Sequence, residues 1–272
     1  MPRFLGAQPL EGQVFRGGES GRPLAKSLRV RPGEEVTLCD GRGADALCKV
    51  LSIQGEGALL QVGRTLRCPK AHSFDLAKEG YANLLPIQKK HAADPGDGKE
   101  MVRARRAFLS AGHYTPLMQA LADLCADLPH GHIVDAGCGE GSYDAYLYKA
   151  LGDEPAIVGF DLSKETVRLA ARLLPEAAFC VGGSFCAPVR DGWADLLLNI
   201  FSPFAGAEFR RMLRPGGHLV YAVPTARHLY GLKEVLYDQP YENEVKDTAY
   251  EGFTFVRSVE AAAQLTLTGD AV

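Results

Sequence analysis

A glycine-rich segment is the part of this 272-residue sequence whose residue types and spacing best suit ligand chemistry. Residues 133–141 read IVDAGCGEG, an apolar run followed by glycines at positions 137, 139 and 141. Glycine lets the backbone turn sharply and approach a ligand closely, and a helix that follows offers unbonded N–H groups. The spacing G-x-G-x-G differs from the G-x-G-x-x-G of dinucleotide-binding enzymes. The segment predicts a ligand-binding turn between a strand and a helix.

Carboxylates next to these glycines indicate the ligand class. Asp161 lies 20 positions after Gly141, at the end of the next predicted strand, where a carboxylate can bind both hydroxyls of a ribose. Asp135 or Glu140 would attract an ammonium group and repel a diphosphate. The combination resembles the S-adenosylmethionine site of Rossmann-like methyltransferases, which implies donor contacts from Asp135, Gly137, Gly139, Glu140, Gly141 and Asp161. The alternative is a tight strand-to-helix turn without a ligand.

Alternating strands and helices must position this site. Five apolar runs predict strands at His132–Val134, Ala156–Phe160, Ala178–Val181, Ala194–Phe201 and His218–Val223. Helical segments between them are Tyr143–Leu151, Lys164–Leu174 and Ala207–Leu213. Strands that are apolar almost throughout are typical of a parallel sheet covered on both faces. The fold class is therefore α/β, a doubly wound, mostly parallel sheet.

The first 63 residues have a different pattern. Four short apolar runs are separated by turn-forming Gly and Pro clusters, and they cover Ser27–Val30, Glu35–Leu38, Leu47–Ile53 and Ala58–Val62. This spacing predicts a small β-barrel of hairpins.

Composition excludes several classes of protein. Hydrophobic residues make up 46% and charged residues 23%, which excludes a wholly disordered or collagen-like chain. No apolar run reaches the roughly 18 residues of a membrane span, so no membrane partner is expected. The start lacks the layout of a secretion signal, and seven cysteines form no disulfide rhythm. These features predict a cytoplasmic protein.

Charge divides unevenly along the chain. Residues 1–106 hold 18 Lys+Arg and 12 Asp+Glu, a net +6, whereas residues 107–272 hold 12 and 21, a net −9. A helix is predicted over Lys99–Leu109, with Met101, Ala104 and Phe108 on one face. Basic residues in and before it are candidate contacts for RNA phosphates: Lys89, Lys90, Arg103, Arg105 and Arg106. The alternative for this set is a solvated helix face.

Ordered blocks from about residue 66 to the end resemble the large-subunit (23S) rRNA guanine-N1 methyltransferase family. The blocks are residues 67–86 (RCPKAHSFDLAKEGYANLLP), 94–97 (DPGD), 105–109 (RRAFL), 112–114 (GHY), 134–141 (VDAGCGEG) and 227–229 (RHL). The resemblance implies a class I methyltransferase domain in which Tyr114, the Gly137–Gly141 loop, Asp161 and His228 contact the methyl donor.

A second resemblance covers the amino-terminal part. Residues 1–4 (MPRF) and 24–36 (LAKSLRVRPGEEV) look like the amino-terminal barrel of the small-subunit (16S) rRNA uridine-N3 methyltransferase family, a barrel that grips RNA. The knotted catalytic domain of that family is absent here. The predicted organisation is a barrel over 1–63, a basic linker with a remnant zinc-finger half and a helix over 64–110, and a methyltransferase domain over 111–272.

The sequence departs from the guanine-N1 family at two places. Cys68 and His72 match half of that family's zinc site, but the upstream C-x-x-C pair is missing, and zinc needs four ligands. Zinc is therefore not expected. The family also continues past Val272 with a last strand of the sheet, which this sequence lacks.

The first functional hypothesis is S-adenosylmethionine-dependent methylation of N1 of a guanine in an rRNA hairpin or loop. Guanine N1 carries a proton that must leave, and His91, Asp94, Asp97 and His228 are candidate bases between which the sequence does not decide. Two alternatives remain: uridine-N3 methylation of 16S rRNA, suggested by the barrel, and a non-catalytic RNA-binding protein. A homodimer is also left open.

Overall fold

The structure, a computed structural model, describes eleven stretches of the chain. They are residues 3–5, 13–16, 31–32, 34–39, 45–54, 57–62, 65–67, 73–85, 98–152, 154–245 and 249–266. The chain forms two compact units, residues 1–78 and 79–272.

The first unit is built from strands. A five-stranded sheet has the order β1-β3-β4-β5-β2, in which β1 pairs parallel with β3 and the other pairings are antiparallel. Two further strands, β6 and β7, pair antiparallel with each other. The strands are β1 (Arg3–Leu5), β2 (Gln13–Arg16), β3 (Glu35–Cys39), β4 (Asp45–Gln54), β5 (Gly57–Val62), β6 (Thr65–Arg67) and β7 (Ser73–Asp75).

The predicted strands of this unit are largely confirmed. β3, β4 and β5 match three of the four predicted runs, while Ser27–Val30 lies outside the described residues. Among the described strands β1 and β2 end the sheet order, so closure into a barrel stays a prediction. Both strands were missed because three or four residues are too few to show an alternating pattern.

The second unit is an α/β fold whose sheet pairings are all parallel. Its six strands have the order β13-β12-β9-β10-β11-β8. They are β8 (Ala82–Asn83), β9 (His132–Ala136), β10 (Ala156–Asp161), β11 (Ala178–Val181), β12 (Ala194–Ile200) and β13 (Leu213–Ala222). The five predicted strands are all present. β8 was missed, since two residues carry no periodicity.

Helices connect these strands. They are α1 (Lys99–Ser110), α2 (Thr115–Ala126), α3 (Ser142–Ala150), α4 (Lys164–Leu173), α5 (Gly206–Met212) and α6 (Tyr230–Leu236), with a 3₁₀ turn at Ser184–Cys186. The three predicted crossover helices and α1 are confirmed, and α2 and α6 were not predicted. None of the helices in the described stretches has the length and hydrophobicity of a membrane span.

The core of this unit lies around the central strands. All seven residues of β12 are buried, as expected for a strand covered on both faces. Ile133 of β9, the neighbour of β12, and Phe160 of β10, one strand further along, are completely buried as well. Helix α5 adds Phe209 and Met212, which are also fully buried. Burial of each such side chain contributes about 1.5–3 kcal/mol, so these strands hold the loops at their ends in place.

The apolar face predicted for α1 is wrong at two of its three residues, since Phe108 is half-buried and packs against His113 and Tyr114. Val102 and Leu109, seven positions apart and therefore on one face of the helix, are buried, while Met101 is 55% exposed and Ala104 is exposed. The error has a physical cause: several faces of α1 carry apolar residues, and the fold around α1 decides which one is covered.

The last strand that the sequence predicts to be absent would lie next to β13. β13 is an edge strand among the described residues. Residues 249–266 contain no helix or strand. That a further strand is missing stays a prediction.

Candidate functional site

The candidate site lies where the strand order changes direction. β9 comes first of the three central strands in sequence, and β10 and β12 flank it on opposite sides. Loops leaving the carboxyl ends of such strands diverge to opposite faces of the sheet and open a crevice that binds ligands in doubly wound folds. The loops that follow β9, β10 and β12 therefore carry the residues of interest.

The glycine loop after β9 needs glycine for its conformation. Gly137, Gly139 and Gly141 have φ angles of +89°, +56° and +81°, in the left-handed region that other residues rarely adopt. The backbone N–H groups of Gly137 and Cys138 both donate to the carbonyl of Phe160, which ties the loop to β10.

The three glycines differ in their surroundings. A Cβ at Gly141 would lie 2.9 Å from the Cβ of Ala170 in α4, and a Cβ at Gly137 would collide with the side chain of Ser202. Nothing lies within 4 Å of a Cβ built on Gly139. Gly137 and Gly141 are thus needed for close packing, whereas Gly139 faces open space in which a ligand can approach the backbone.

Asp161 links the loop to the neighbouring strand. It is the last residue of β10, and its Oδ2 accepts the N–H of Gly139 at 3.2 Å. Its Oδ1 accepts the N–H of Ser163 at 2.8 Å, just before α4. These bonds fix the carboxylate at the rim of the crevice.

Three acidic side chains are buried beside the loop. Asp135, Glu140 and Asp144 are 1%, 4% and 0% exposed, and none of them forms an ion pair with a described residue. Glu140 accepts the hydroxyl of Ser142 at 2.5 Å. Buried acids without a cation are costly, so this end of the crevice favours a positively charged ligand group.

Asp135 and Asp144 form a carboxyl pair. Burial, followed by the negative charge of its neighbours, raises the pKa of Asp135, and burial raises the pKa of Asp144 further. Among the described residues, no hydrogen-bond donor reaches Oδ1 of Asp135 or either carboxylate oxygen of Asp144. Burial and mutual repulsion disfavour two negative charges at this place, so the raised pKa values favour the neutral form of one of the two carboxyls.

Asp144 was missed in the sequence. It is the third residue of α3, and helical side chains lean toward the amino-terminal end, here toward the loop. An acidic residue three positions after Gly141 was the available signal.

Tyr114 and His228 meet across the site, 114 positions apart in sequence. The hydroxyl of Tyr114 lies 2.9 Å from Nε2 of His228. Burial, with a smaller effect of Lys233, lowers the pKa of His228, and burial raises the pKa of Tyr114. Both side chains are therefore neutral near pH 7.

Phe201 was not expected at the site. It follows β12 directly, and its ring stacks on the imidazole of His228 with centroids 5.6 Å apart and planes 20° apart. The ring of Tyr114 lies 6.3 Å from it, centroid to centroid. In the sequence Phe201 reads as the last residue of an apolar strand, which gave no sign of its position.

The predicted RNA-binding residues are only partly described. Arg103 and Arg105 on α1 are exposed and Arg106 is half-buried. Lys89, Lys90 and the candidate bases His91, Asp94 and Asp97 lie outside the described residues. Cys68 and His72 also lie outside them, and within the described stretches no group of three or more His, Cys, Asp or Glu could hold a metal. The expected absence of zinc stays a prediction.

Three family models match the chain. A "Methyltransferase domain" model covers residues 133–217, which include the glycine loop and Asp161. An "RNA methyltransferase PUA domain" model covers residues 24–63, and a zinc-ribbon model described as "RlmA, N-terminal" covers residues 56–93.

Curated relatives match about two thirds of this chain. "Putative 23S rRNA (guanine-N(1)-)-methyltransferase YxjB" of Bacillus subtilis is 34% identical over 71% of this chain and 70% of its own length. The chain belongs to the 23S rRNA guanine-N1 methyltransferase family. Another member, the 23S rRNA (guanine(748)-N(1))-methyltransferase of Streptomyces fradiae, is 42% identical over 64% of this chain.

The match to some family members is partial. The chain spans 62% of the Streptomyces fradiae enzyme and 63% of a Micromonospora griseorubida relative that is 41% identical. Among solved structures, geranyl diphosphate C-methyltransferase from Streptomyces coelicolor A3(2) resembles 38% of this chain and 42% of its own, with 23% identity and a TM-score of 0.34. The family membership and the parallel sheet identify the second unit as a Rossmann-like class I methyltransferase domain.

The residues present fit S-adenosylmethionine, the methyl donor of this fold. The donor has an ammonium group and a sulfonium, and the buried acids supply negative charge without a cation of their own. The open space at Gly139 gives access to the loop backbone, and Asp161 stands at the strand end where a ribose is bound in such folds.

Proposed function

We propose that the chain is an S-adenosylmethionine-dependent methyltransferase that methylates N1 of a guanine in 23S rRNA. The observation that carries the proposal is the hydrogen bond between Asp161 and the N–H of Gly139. It joins a left-handed glycine loop to a carboxylate on the next strand, at the switch point where a nucleoside ligand binds. Membership of the guanine-N1 family supports the substrate.

Each predicted donor contact has a role in this proposal. Asp161 holds the ribose hydroxyls, and the backbone of Gly137, Gly139 and Gly141 lets the donor approach closely. Asp135 and Glu140 offset the charge of the ammonium group. Tyr114 and His228 complete the opposite wall, where both present neutral polar groups.

The chemistry requires mainly positioning. S-adenosylmethionine supplies an electrophilic methyl group on a sulfonium, so the protein must place guanine N1 in line with it. The proton on N1 must also leave, through a base or a water path. Of the candidate bases only His228 lies within the described residues, and we assign it to donor binding rather than to proton transfer, since its Nε2 is engaged by Tyr114.

RNA binding is assigned to the basic residues of the linker and α1. Lys89, Lys90, Arg103, Arg105 and Arg106 would contact phosphates, and the target guanine would lie in a hairpin or loop because a stacked and paired N1 is inaccessible. The proposal includes the division of the chain into domains at residues 1–63, 64–110 and 111–272. It also includes action in the cytoplasm and the formation of a homodimer. The PUA match over residues 24–63 supports RNA binding by the amino-terminal part.

Calorimetry with S-adenosylhomocysteine tests donor binding. We expect the wild-type chain to bind and Asp161→Ala to bind at least tenfold more weakly, since hydrogen bonds to a carboxylate contribute about 1.5–3 kcal/mol. Asp238→Ala, which removes an exposed carboxylate, is the matched control and should bind like wild type.

Primer extension on 23S rRNA tests the reaction. A methyl group on guanine N1 blocks base pairing, so reverse transcription should stop one nucleotide before the modified base. A stop that depends on S-adenosylmethionine and is lost in Asp161→Ala supports the proposal. Failure of the wild-type chain to bind the donor would favour the non-catalytic RNA-binding alternative.

A further inference from the structure

The turn after β12 has a backbone conformation that calls for an explanation. Phe201 has a φ angle of +52°, in the left-handed region, although it carries a bulky side chain. Its N–H donates to the carbonyl of Ala222 at 3.0 Å, which anchors the strained residue to β13. Strained non-glycine residues persist where the surrounding structure holds them, and they cluster at functional sites.

The strain places an aromatic ring at the rim of the donor crevice. Ser202, the next residue, packs so closely on Gly137 of the glycine loop that a Cβ there would collide with it. Phe201 is therefore next in the chain to a residue that packs on the glycine loop, and its ring packs against Tyr114 and His228.

The ring of Phe201 is covered on one side. His228 stacks on it, and the residue as a whole remains 42% exposed. Elsewhere in the fold, burial of the aromatic rings Phe160 and Phe209 is complete. An aromatic ring that is backed by another ring, partly exposed and held by its backbone is a platform on which a planar ligand can stack.

We propose that Phe201 is the stacking platform for the target guanine after it leaves its RNA helix. This inference rests on the proposed function and adds the place where the purine base binds. A base extruded from RNA loses its stacking on neighbouring bases, and an aromatic side chain restores it. The platform fixes the plane of the ring, so that N1 points toward the crevice in which the loop holds the donor.

The first test separates base binding from donor binding. Phe201→Ala should lower the kcat/KM for 23S rRNA methylation about ten- to hundredfold, the range expected from loss of one base–aromatic stack. Its affinity for S-adenosylhomocysteine should fall by a much smaller factor than kcat/KM, because the ring supports the donor wall only through its contacts with His228 and Tyr114. Phe201→Tyr and Phe201→Trp keep an aromatic face and should retain most of the activity.

A matched control is Phe255→Ala, which removes a phenylalanine of similar exposure, 56%, from the stretch after α6. It should leave both measurements unchanged. If Phe201→Ala does not fold, it will lose S-adenosylhomocysteine binding. The Phe201→Tyr and Phe201→Trp variants then decide whether Phe201 is a platform, since only a platform requires an aromatic face.

Fluorescence gives a readout independent of turnover. The sequence contains one tryptophan, Trp193, which packs against His132 with ring centroids 4.9 Å apart. In Phe201→Trp, addition of 23S rRNA in the presence of S-adenosylhomocysteine should quench fluorescence well beyond the change seen in wild type, because the new indole stacks on guanine.

Two results would overturn the platform while leaving the proposed function intact. One is wild-type methylation by Phe201→Ala, and the other is equal quenching in Phe201→Trp and wild type. Absence of donor binding or rRNA methylation in the wild-type chain would instead remove the proposed function, and the platform with it.

Discussion

The loops that leave β9 and β12 meet at the same crevice but use opposite residue types. After β9, three left-handed positions are all glycine, which adopts this conformation without strain. After β12, the left-handed position is Phe201, which adopts it at a cost of about 1–2 kcal/mol. The first loop gains close packing from the absence of side chains, whereas the second keeps a strained backbone and presents a large ring.

The difference indicates what each loop is for. A ligand that approaches the backbone needs a loop without Cβ atoms, and the open space at Gly139 suits this. A ligand that stacks needs a ring held in a fixed orientation, and Phe201 backed by His228 suits that. Substitutions that exchange these properties therefore test the comparison.

The largest effect is expected at Gly141. Gly141→Ala adds a Cβ 2.9 Å from Ala170 and forces alanine to a φ of +81°, so we expect a loss of about 3 kcal/mol in the free energy of unfolding. Gly139→Ala has the same conformational strain without the collision and should lose about 1 kcal/mol. Urea denaturation measures both. Equal losses would show that packing against α4 does not constrain the loop.

An effect of intermediate size is expected from the carboxyl pair Asp135 and Asp144, whose contribution to stability should depend on pH. Burial raises the pKa values of Asp135 and Asp144, so the folded state keeps a proton that the unfolded chain releases above about pH 4. Stability contributed by this proton is full below that pH and is lost as the pH rises toward neutral, by up to about 1.4 kcal/mol per pH unit. Asp144→Asn removes one of the two buried carboxyls, and with it the proton that the folded state must keep.

Unfolding curves at pH 5 and pH 8 check this expectation. From pH 5 to pH 8, the free energy of unfolding of Asp144→Asn should rise by about 2 kcal/mol relative to that of the wild type. Asp127→Asn changes an exposed carboxylate and should shift in parallel with wild type. A parallel shift for Asp144→Asn as well would mean that the pair holds no proton.

The smallest effect is expected at Phe201, where the usual order of stability of alanine and glycine variants should reverse. In an ordinary position alanine stabilises a chain relative to glycine by about 0.5–1 kcal/mol. At a φ of +52° we expect Phe201→Gly to be more stable than Phe201→Ala by about 1 kcal/mol, because glycine relieves the left-handed strain and both variants lack the ring. Thermal unfolding of the two variants compares them directly, and a more stable Phe201→Ala would contradict the strain.

Much of the second unit could be predicted from its sequence, for identifiable reasons. Strands buried on both faces are largely apolar, so β9, β10, β11 and β12 were found, and β13 was found from the apolar run at its carboxyl end. The face of α1 was predicted wrongly, since Val102 and Met101 are both apolar and only packing shows that Val102 is buried. Two-residue β8 carried no pattern at all.

The amino acid sequence by itself determined the glycine loop and the acidic residue after β10, because both depend on local chemistry: backbone freedom in one case and a strand end in the other. Only the tertiary structure decided which distant side chains join them. Tyr114 meets His228, and Asp144 meets Asp135, because a helix and a loop fold back onto the same strand ends. Such meetings depend on packing between elements, which spacing along the chain does not encode.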